Sequence, residues 1–171
     1  VPNWCPGCGD YGIQNAISAV CAKKGWANED ITLISGIGCS SRIGGYQYCY
    51  GAHTTHGRAL PFAQGIKCAN KDQHMIVCSG DGDSYAIGLG HAMHAIKRNM
   101  DITYLVFDNQ VYGLTKGQTS PASDKGFVTK TTPDGNPLTP LDAPAMALAA
   151  GATFVAQAYA IDSKTMINVI E

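Results

Sequence analysis

The sequence predicts an α/β fold, a parallel sheet with helices on both faces. Short apolar runs of strand type at 31–35, 75–79, 102–108 and 153–156 alternate with longer helical patterns at 11–24, 58–69, 85–98, 141–150 and 163–171. Glycine-rich turns follow two of those runs directly, 31–35 and 75–79, as at the carboxyl ends of parallel strands where such sheets bind their ligands. At 171 residues the chain suffices for one ordinary domain, 1–171, that buries a core without staples. No internal repeat is present.

In chain order, Trp4-Cys5-Pro6-Gly7-Cys8-Gly9 comes first and places two thiols on a Gly/Pro loop at a spacing that can chelate a metal or a cluster. The same pattern suits a redox dithiol or half a zinc site. No strand precedes Trp4, which argues against the dithiol, and no second pair at zinc-ribbon spacing follows. Helix 11–24 leads to strand 31–35, which runs into Ser35-Gly36-Ile37-Gly38-Cys39-Ser40-Ser41-Arg42. Cys39 is there a candidate third ligand. Next, His53-Thr54-Thr55-His56-Gly57 opens helix 58–69, and His56 is read as a hydrogen-bonding partner of a phosphate or carbonyl rather than a metal ligand.

Strand 75–79 delivers Gly80-Asp81-Gly82 to a tight turn. Two glycines let backbone amides approach a phosphate, and Asp81 between them offers the hard oxygen that Mg²⁺ prefers. Taken alone, the turn reads equally well as a left-handed bend with a helix-capping Asp. Helix 85–98 carries His91 and His94 on one face as packing or interface residues. Strand 102–108 then returns Asn109 to the neighbourhood of Asp81, and the bend Tyr112-Gly113-Leu114 makes the Val111 carbonyl the candidate third oxygen on the metal. The Pro-, Gly- and Thr-rich stretch 119–140 is longer than an ordinary connection and reads as a lid or partner-contact loop. Cys21, Cys68 and Cys78 fall in helix or strand and read as small core residues.

Acidic and basic residues nearly balance, 13 against 12, so neither nucleic acid nor an anionic membrane surface is a favoured partner. No apolar run reaches the length of a spanning helix, and no secretory start is visible. The expected location is cytoplasmic. Seven cysteines, an odd number, fit reduced thiols better than a disulfide framework.

Taken together and in this order, residues 4–9, 36–42, 53–61, 80–83 and 108–118 resemble the β subunit of the 2-oxoacid:ferredoxin oxidoreductases, over a stretch from Trp4 to about Thr153. The resemblance implies the thiamine-diphosphate-binding fold, with Mg²⁺ on Asp81, Asn109 and the Val111 carbonyl. It implies cofactor contacts by Ile37, Gly38, Cys39, Ser40, His56, Gly82, Asp83, Gly113 and Leu114, and a [4Fe–4S] cluster on Cys5, Cys8 and Cys39. The family's fourth cluster cysteine falls beyond Glu171, and Cys21, Cys49, Cys68 and Cys78 do not match it. With Val1 rather than Met at the start, the chain is expected to be a piece of a longer subunit.

The implied activity is coenzyme A-dependent oxidative decarboxylation of a 2-oxoacid, 2-oxoglutarate or pyruvate, with electrons passed through the cluster to ferredoxin. The catalytic acid and base are expected on a partner α subunit, so none is assigned here. Arg42 is a candidate for a second substrate carboxylate, Lys116 for a coenzyme A phosphate. Two other readings stay open: a non-oxidative thiamine-diphosphate decarboxylase or synthase subunit, and a non-enzymatic metal-binding scaffold domain.

Overall fold

The computed structural model describes residues 1–171. Its centre is a parallel sheet in the order β2-β1-β3-β4, formed by β1 (Ile31–Ser35), β2 (Tyr50–His53), β3 (His74–Gly80) and β4 (Thr103–Phe107). Strand alternation splits the core into two layers. On one face Ile31 and Leu33 of β1 and Ile76 and Cys78 of β3 pack with Trp4, Ile43, Phe107 and Ile17 of α1 (Gly9–Lys24). On the other, Ile34, Met75 and Val77 meet Ala59, Leu60 and Ala63 of α2 (Ala59–Ala69) and Ala92 and Ala95 of α3 (Leu89–Arg98). Small alanines let α2 and α3 lie close to the central strands, and the expected helix cover on both faces is present. α5 (Ser163–Ile170) packs on the outer side of α1, with Met166 buried; α4 (Ala143–Ala149) has no buried residue.

The boundaries have local causes. Gly25 closes α1 in the left-handed conformation (φ 68°), which leaves Trp26 N–H to reach the Cys21 carbonyl at 3.2 Å. The expected helix 85–98 is broken: Asp83–Ile87 forms a π-helical turn, closed by Gly88 N–H on the Asp83 carbonyl at 3.1 Å, and the α-helix starts only at Leu89.

The structure also corrects the strand list. Residues 153–156 have strand-type composition but pair with nothing; Phe154 is 70% exposed and Thr153 bonds only sideways to Asn99. Strand propensity without a ladder partner is not a strand. Conversely β2 is a true strand that carries no apolar signature, because it is an edge with mostly exposed side chains. A two-stranded antiparallel ribbon, β5 (Val111–Tyr112) with β6 (Gln118–Thr119), follows β4. No helix is long and apolar enough to cross a membrane.

Candidate functional site

Because all four strands of the main sheet are parallel, their carboxyl ends lie along one rim, and each leads into a segment picked out from the sequence: 36–40 after β1, 54–57 after β2, 80–83 after β3 and 108–114 after β4. Glycines make their approach possible. A Cβ on Gly80 would lie 3.3 Å from Ser40 Oγ, and one on Gly82 would sit 2.3 Å from the Tyr112 ring, whose hydroxyl donates to the Gly82 carbonyl at 3.2 Å. One on Gly113 would lie 3.4 Å from Asn109 Nδ2 and 3.7 Å from Cys39 Sγ. The Asp81 turn, the Asn109 turn and the Cys39 turn are therefore direct neighbours.

Asp81 is 1% exposed, and one of its oxygens accepts the Ser120 hydroxyl. Burial raises its carboxyl above the usual range; the Ser120 hydrogen bond opposes the shift and the nearby Asp108 carboxylate adds to it. A cation at Asp81 would relieve both the burial and the repulsion. Asn109 Oδ1 accepts Val111 N–H at 3.2 Å and Asp108 Oδ1 accepts Gln110 N–H at 3.0 Å, folding the turn through Gln110 at φ 61°. Asp81, Asn109 and the Val111 carbonyl form a donor set of hard oxygens, which fits a small divalent cation that completes its shell with phosphate and water. No three His, Cys, Asp or Glu side chains converge as a metal site built from such side chains alone would need.

The cysteines are organised by Trp4. Its indole N–H donates to the Cys39 carbonyl at 2.6 Å, and its ring is 6% exposed between Tyr11 and Tyr46, both edge-on. Tyr11 returns a hydrogen bond to the Trp4 carbonyl at 3.0 Å. The loop turns through Gly7 at φ 78°, with Cys8 N–H on the Cys5 carbonyl at 3.0 Å. Cys5 is exposed and Cys8 and Cys39 are half-buried. Burial raises the thiols of Cys8 and Cys39, and Asp10 and Cys5 add to the rise through their charges. Three thiols, one of them open to solvent, thus lie on two loops that Trp4 ties together.

His56 is half-buried, its ring edge-on to Tyr112 with centroids 6.2 Å apart, and Nδ1 is 2.6 Å from Asp83 Oδ1. Ile37 presents its N–H to the same carboxylate. Arg42 and Leu114 are exposed at the margin, though the Arg42 charge reaches Cys39 and offsets a little of the rise that burial imposes on its thiol. Lys116 stands at the exposed tip of the β5–β6 ribbon with φ 78°.

Several contributors were not foreseen. Ser120 and Ser123 come from the start of the long 119–140 segment: Ser120 bonds Asp81 and Ser123 Oγ donates to the Gln110 carbonyl. Farther along, Asn136 holds that segment together through the carbonyls of Ser123, Asp124 and Leu138. A serine in a polar loop carries no signal that it will meet a carboxylate distant in sequence. Trp4 was visible only as part of the cysteine motif.

A parallel sheet whose strand ends assemble a Gly-Asp-Gly turn against an Asn-bearing turn defines a thiamine-diphosphate-binding domain. The comparisons agree: residues 36–171 match the model of the thiamine pyrophosphate enzyme, C-terminal TPP binding domain, and the chain belongs to that family. Within it the chain groups with β subunits of 2-oxoacid:ferredoxin oxidoreductases. It is 47% identical over 167 residues to the 2-oxoglutarate oxidoreductase subunit KorB of Mycobacterium tuberculosis, covering 98% of this chain and 45% of the relative. It is 45% identical over 171 residues to a 2-oxoacid:ferredoxin oxidoreductase subunit beta of Saccharolobus solfataricus, covering 99% and 56%. The solved 2-oxoglutarate:ferredoxin oxidoreductase from Magnetococcus marinus, with 2-oxoglutarate, coenzyme A and succinyl-CoA bound, superposes with a TM-score of 0.98 at 43% identity, covering 99% of this chain and 58% of that one. The chain thus spans about half the length of the relatives it matches.

Proposed function

We propose that this chain is the thiamine-diphosphate domain of the β subunit of a 2-oxoacid:ferredoxin oxidoreductase, acting with an α subunit on 2-oxoglutarate or pyruvate and coenzyme A and passing electrons to ferredoxin. One observation supports the reading: the metal-type turn and the cysteine turn are neighbours, since a Cβ on Gly113 would lie 3.4 Å from Asn109 Nδ2 and 3.7 Å from Cys39 Sγ. Electron transfer from a cofactor to a cluster needs the two sites adjacent, and a non-oxidative thiamine enzyme or a scaffold has no use for that adjacency.

Asp81, Asn109 and the Val111 carbonyl would hold Mg²⁺ and through it the diphosphate. The backbone of 37–40, with Gly82, Gly113 and Leu114, would line the cofactor, and Cys5, Cys8 and Cys39 would supply three ligands to a [4Fe–4S] cluster whose fourth comes from outside this chain. When bound, thiamine diphosphate supplies the electron sink for decarboxylation. This chain's residues bind, orient and neutralise: Ser120 holds one oxygen of Asp81, Tyr112 closes over Gly82, and Trp4 holds the cysteine loop against the Cys39 turn. In this reading Arg42 meets a second substrate carboxylate and Lys116 a coenzyme A phosphate, and the acid–base group comes from the α subunit.

The test is the visible absorption of the anaerobically purified complex before and after a 2-oxoacid and coenzyme A. A broad iron–sulfur band that bleaches is expected, and the acid that bleaches it best names the substrate. A protein that binds thiamine diphosphate yet shows no band would be a non-oxidative thiamine enzyme instead.

A further inference from the structure

Asp83 lies two residues past the metal-type carboxylate, yet its side chain faces protein. It is 2% exposed and sits at the first position of the π-helical turn. Its Oδ1 accepts Gly57 N–H at 2.7 Å and Ile37 N–H at 3.1 Å and lies 2.6 Å from His56 Nδ1. Its Oδ2 rests on Gly36 so closely that a Cβ there would come within 1.8 Å. One carboxylate thus gathers the loops that leave β1, β2 and β3.

The surrounding backbone is shaped to allow this. Gly57 takes φ 70°, and a Cβ on it would meet Gly88 N at 2.6 Å, so the His56 loop is pressed against the end of the π-helical turn. Arg58 adds bonds to the Gly57 and Ile87 carbonyls at 3.3 and 3.1 Å. Two buried atoms in the group have no aligned partner, Asp83 Oδ2 and His56 Nδ1. Nδ1 already lies 2.6 Å from Asp83 Oδ1, so a realigned ring would give that nitrogen its partner, and buried polar atoms rarely stay unpaired. With Nδ1 buried against Asp83, the other edge of the half-exposed ring is the one left for the rim.

We infer that Asp83 is a positioning residue: its carboxylate latches the loops after β1, β2 and β3 together and fixes His56 with Nδ1 inward and Nε2 toward the ligand rim. The inference deepens the proposed function, on which it rests for the identity of the ligand that His56 meets. The Asp83 carboxylate, expected from the family resemblance to be a cofactor contact, acts in this reading through the protein groups it binds. His56 presents one nitrogen in one orientation.

The experiment uses the full-length complex, freed of cofactor, with diethyl pyrocarbonate as a footprint of exposed imidazole nitrogen read by peptide mass spectrometry. His94, exposed on α3, is the internal control. Asp83→Ala removes the latch, so His56 is expected to react at least about threefold faster, with a lower melting temperature and an unchanged His94 rate. Asp83→Asn keeps one oxygen for the two backbone N–H groups, so it should melt near the wild-type temperature. It loses the charge beside His56, which should speed the His56 footprint and weaken thiamine diphosphate binding about tenfold, the worth of one charge-assisted hydrogen bond. Wild-type footprint and melting temperature in Asp83→Ala would overturn the latch. If that variant does not assemble, Asp83→Asn decides, and an unchanged His56 rate in it overturns the inference. Failure of thiamine diphosphate with Mg²⁺ to shield His56 in the wild type, alongside the expected alanine result, would sink the cofactor reading and leave the latch standing.

Discussion

Replacing Trp4 by Phe probes the joint that holds the cysteine loop to the rest of the site. Phenylalanine keeps a ring between Tyr11 and Tyr46 but loses the N–H that reaches the Cys39 carbonyl at 2.6 Å. A lost hydrogen bond costs about 1 kcal/mol, and more where the remaining partner stays unpaired. Trp4 is 6% exposed, so the smaller ring also leaves a void, for about 1–2 kcal/mol more. The sum of about 2–3 kcal/mol corresponds to a melting temperature lower by roughly 4–12 °C in a unit of this size. Trp26→Phe is the control, because Trp26 is half-buried at the edge of the core and stacks on His74 at 3.8 Å, but its side chain makes no hydrogen bond to either cysteine turn. Thermal melting of the full-length protein, paired with iron retained after brief chelation, measures both halves of the argument. Trp4→Phe should lower both, whereas Trp26→Phe should lower the melting temperature less and leave iron retention unchanged. Equal melting temperatures for the two variants, or full iron retention in Trp4→Phe, would refute the idea that Trp4 ties the two cysteine turns.

Two further outcomes follow from the electrostatics. Burial raises the Asp81 carboxyl, so the folded protein holds a proton there more tightly than the unfolded chain, and the stability linked to it falls as pH rises through and above the ordinary carboxylate range. Asp81→Asn should therefore stabilise the cofactor-free protein at neutral pH, with the gain vanishing near about pH 4; it should also abolish the thermal stabilisation by Mg²⁺ and thiamine diphosphate. Calorimetry at the two pH values checks the sign, and an Asn variant less stable than wild type at neutral pH would contradict it. Among the cysteines, Cys78 is fully buried with its thiol pushed far up by desolvation, whereas Cys5 is exposed. Contrary to its reading as a core residue, Cys68 is exposed too, because it lies near the end of α2 away from the sheet-facing alanines. In cluster-free native protein an alkylating reagent should label Cys5 and Cys68 first and Cys78 only on unfolding, as read by peptide mass spectrometry.

The layer architecture was legible because its causes are local and periodic. Runs such as Ile31–Ser35 can be satisfied only between two covered faces, and the helices alternating with them supply that cover. The Gly-Asp-Gly turn alone could equally be a capping bend; its pairing with the Asn109 turn one strand later is what made the family legible. Strand β2 was missed because an edge strand of small and exposed residues leaves no periodic trace, and residues 153–156 were overcalled because apolar composition does not provide a neighbour.

Sequence alone determined the layered α/β class, three of the four strands of the main sheet and the order of the motifs that mark the thiamine-diphosphate family, since each is written in a short stretch of chain. Tertiary structure alone decided that Ser120 meets Asp81, that Trp4 reaches Cys39, and that Asp83 turns inward to Ile37, Gly57 and His56. Those contacts join residues far apart in the chain, and a hydrogen bond depends on where two atoms arrive in space, which no local pattern encodes.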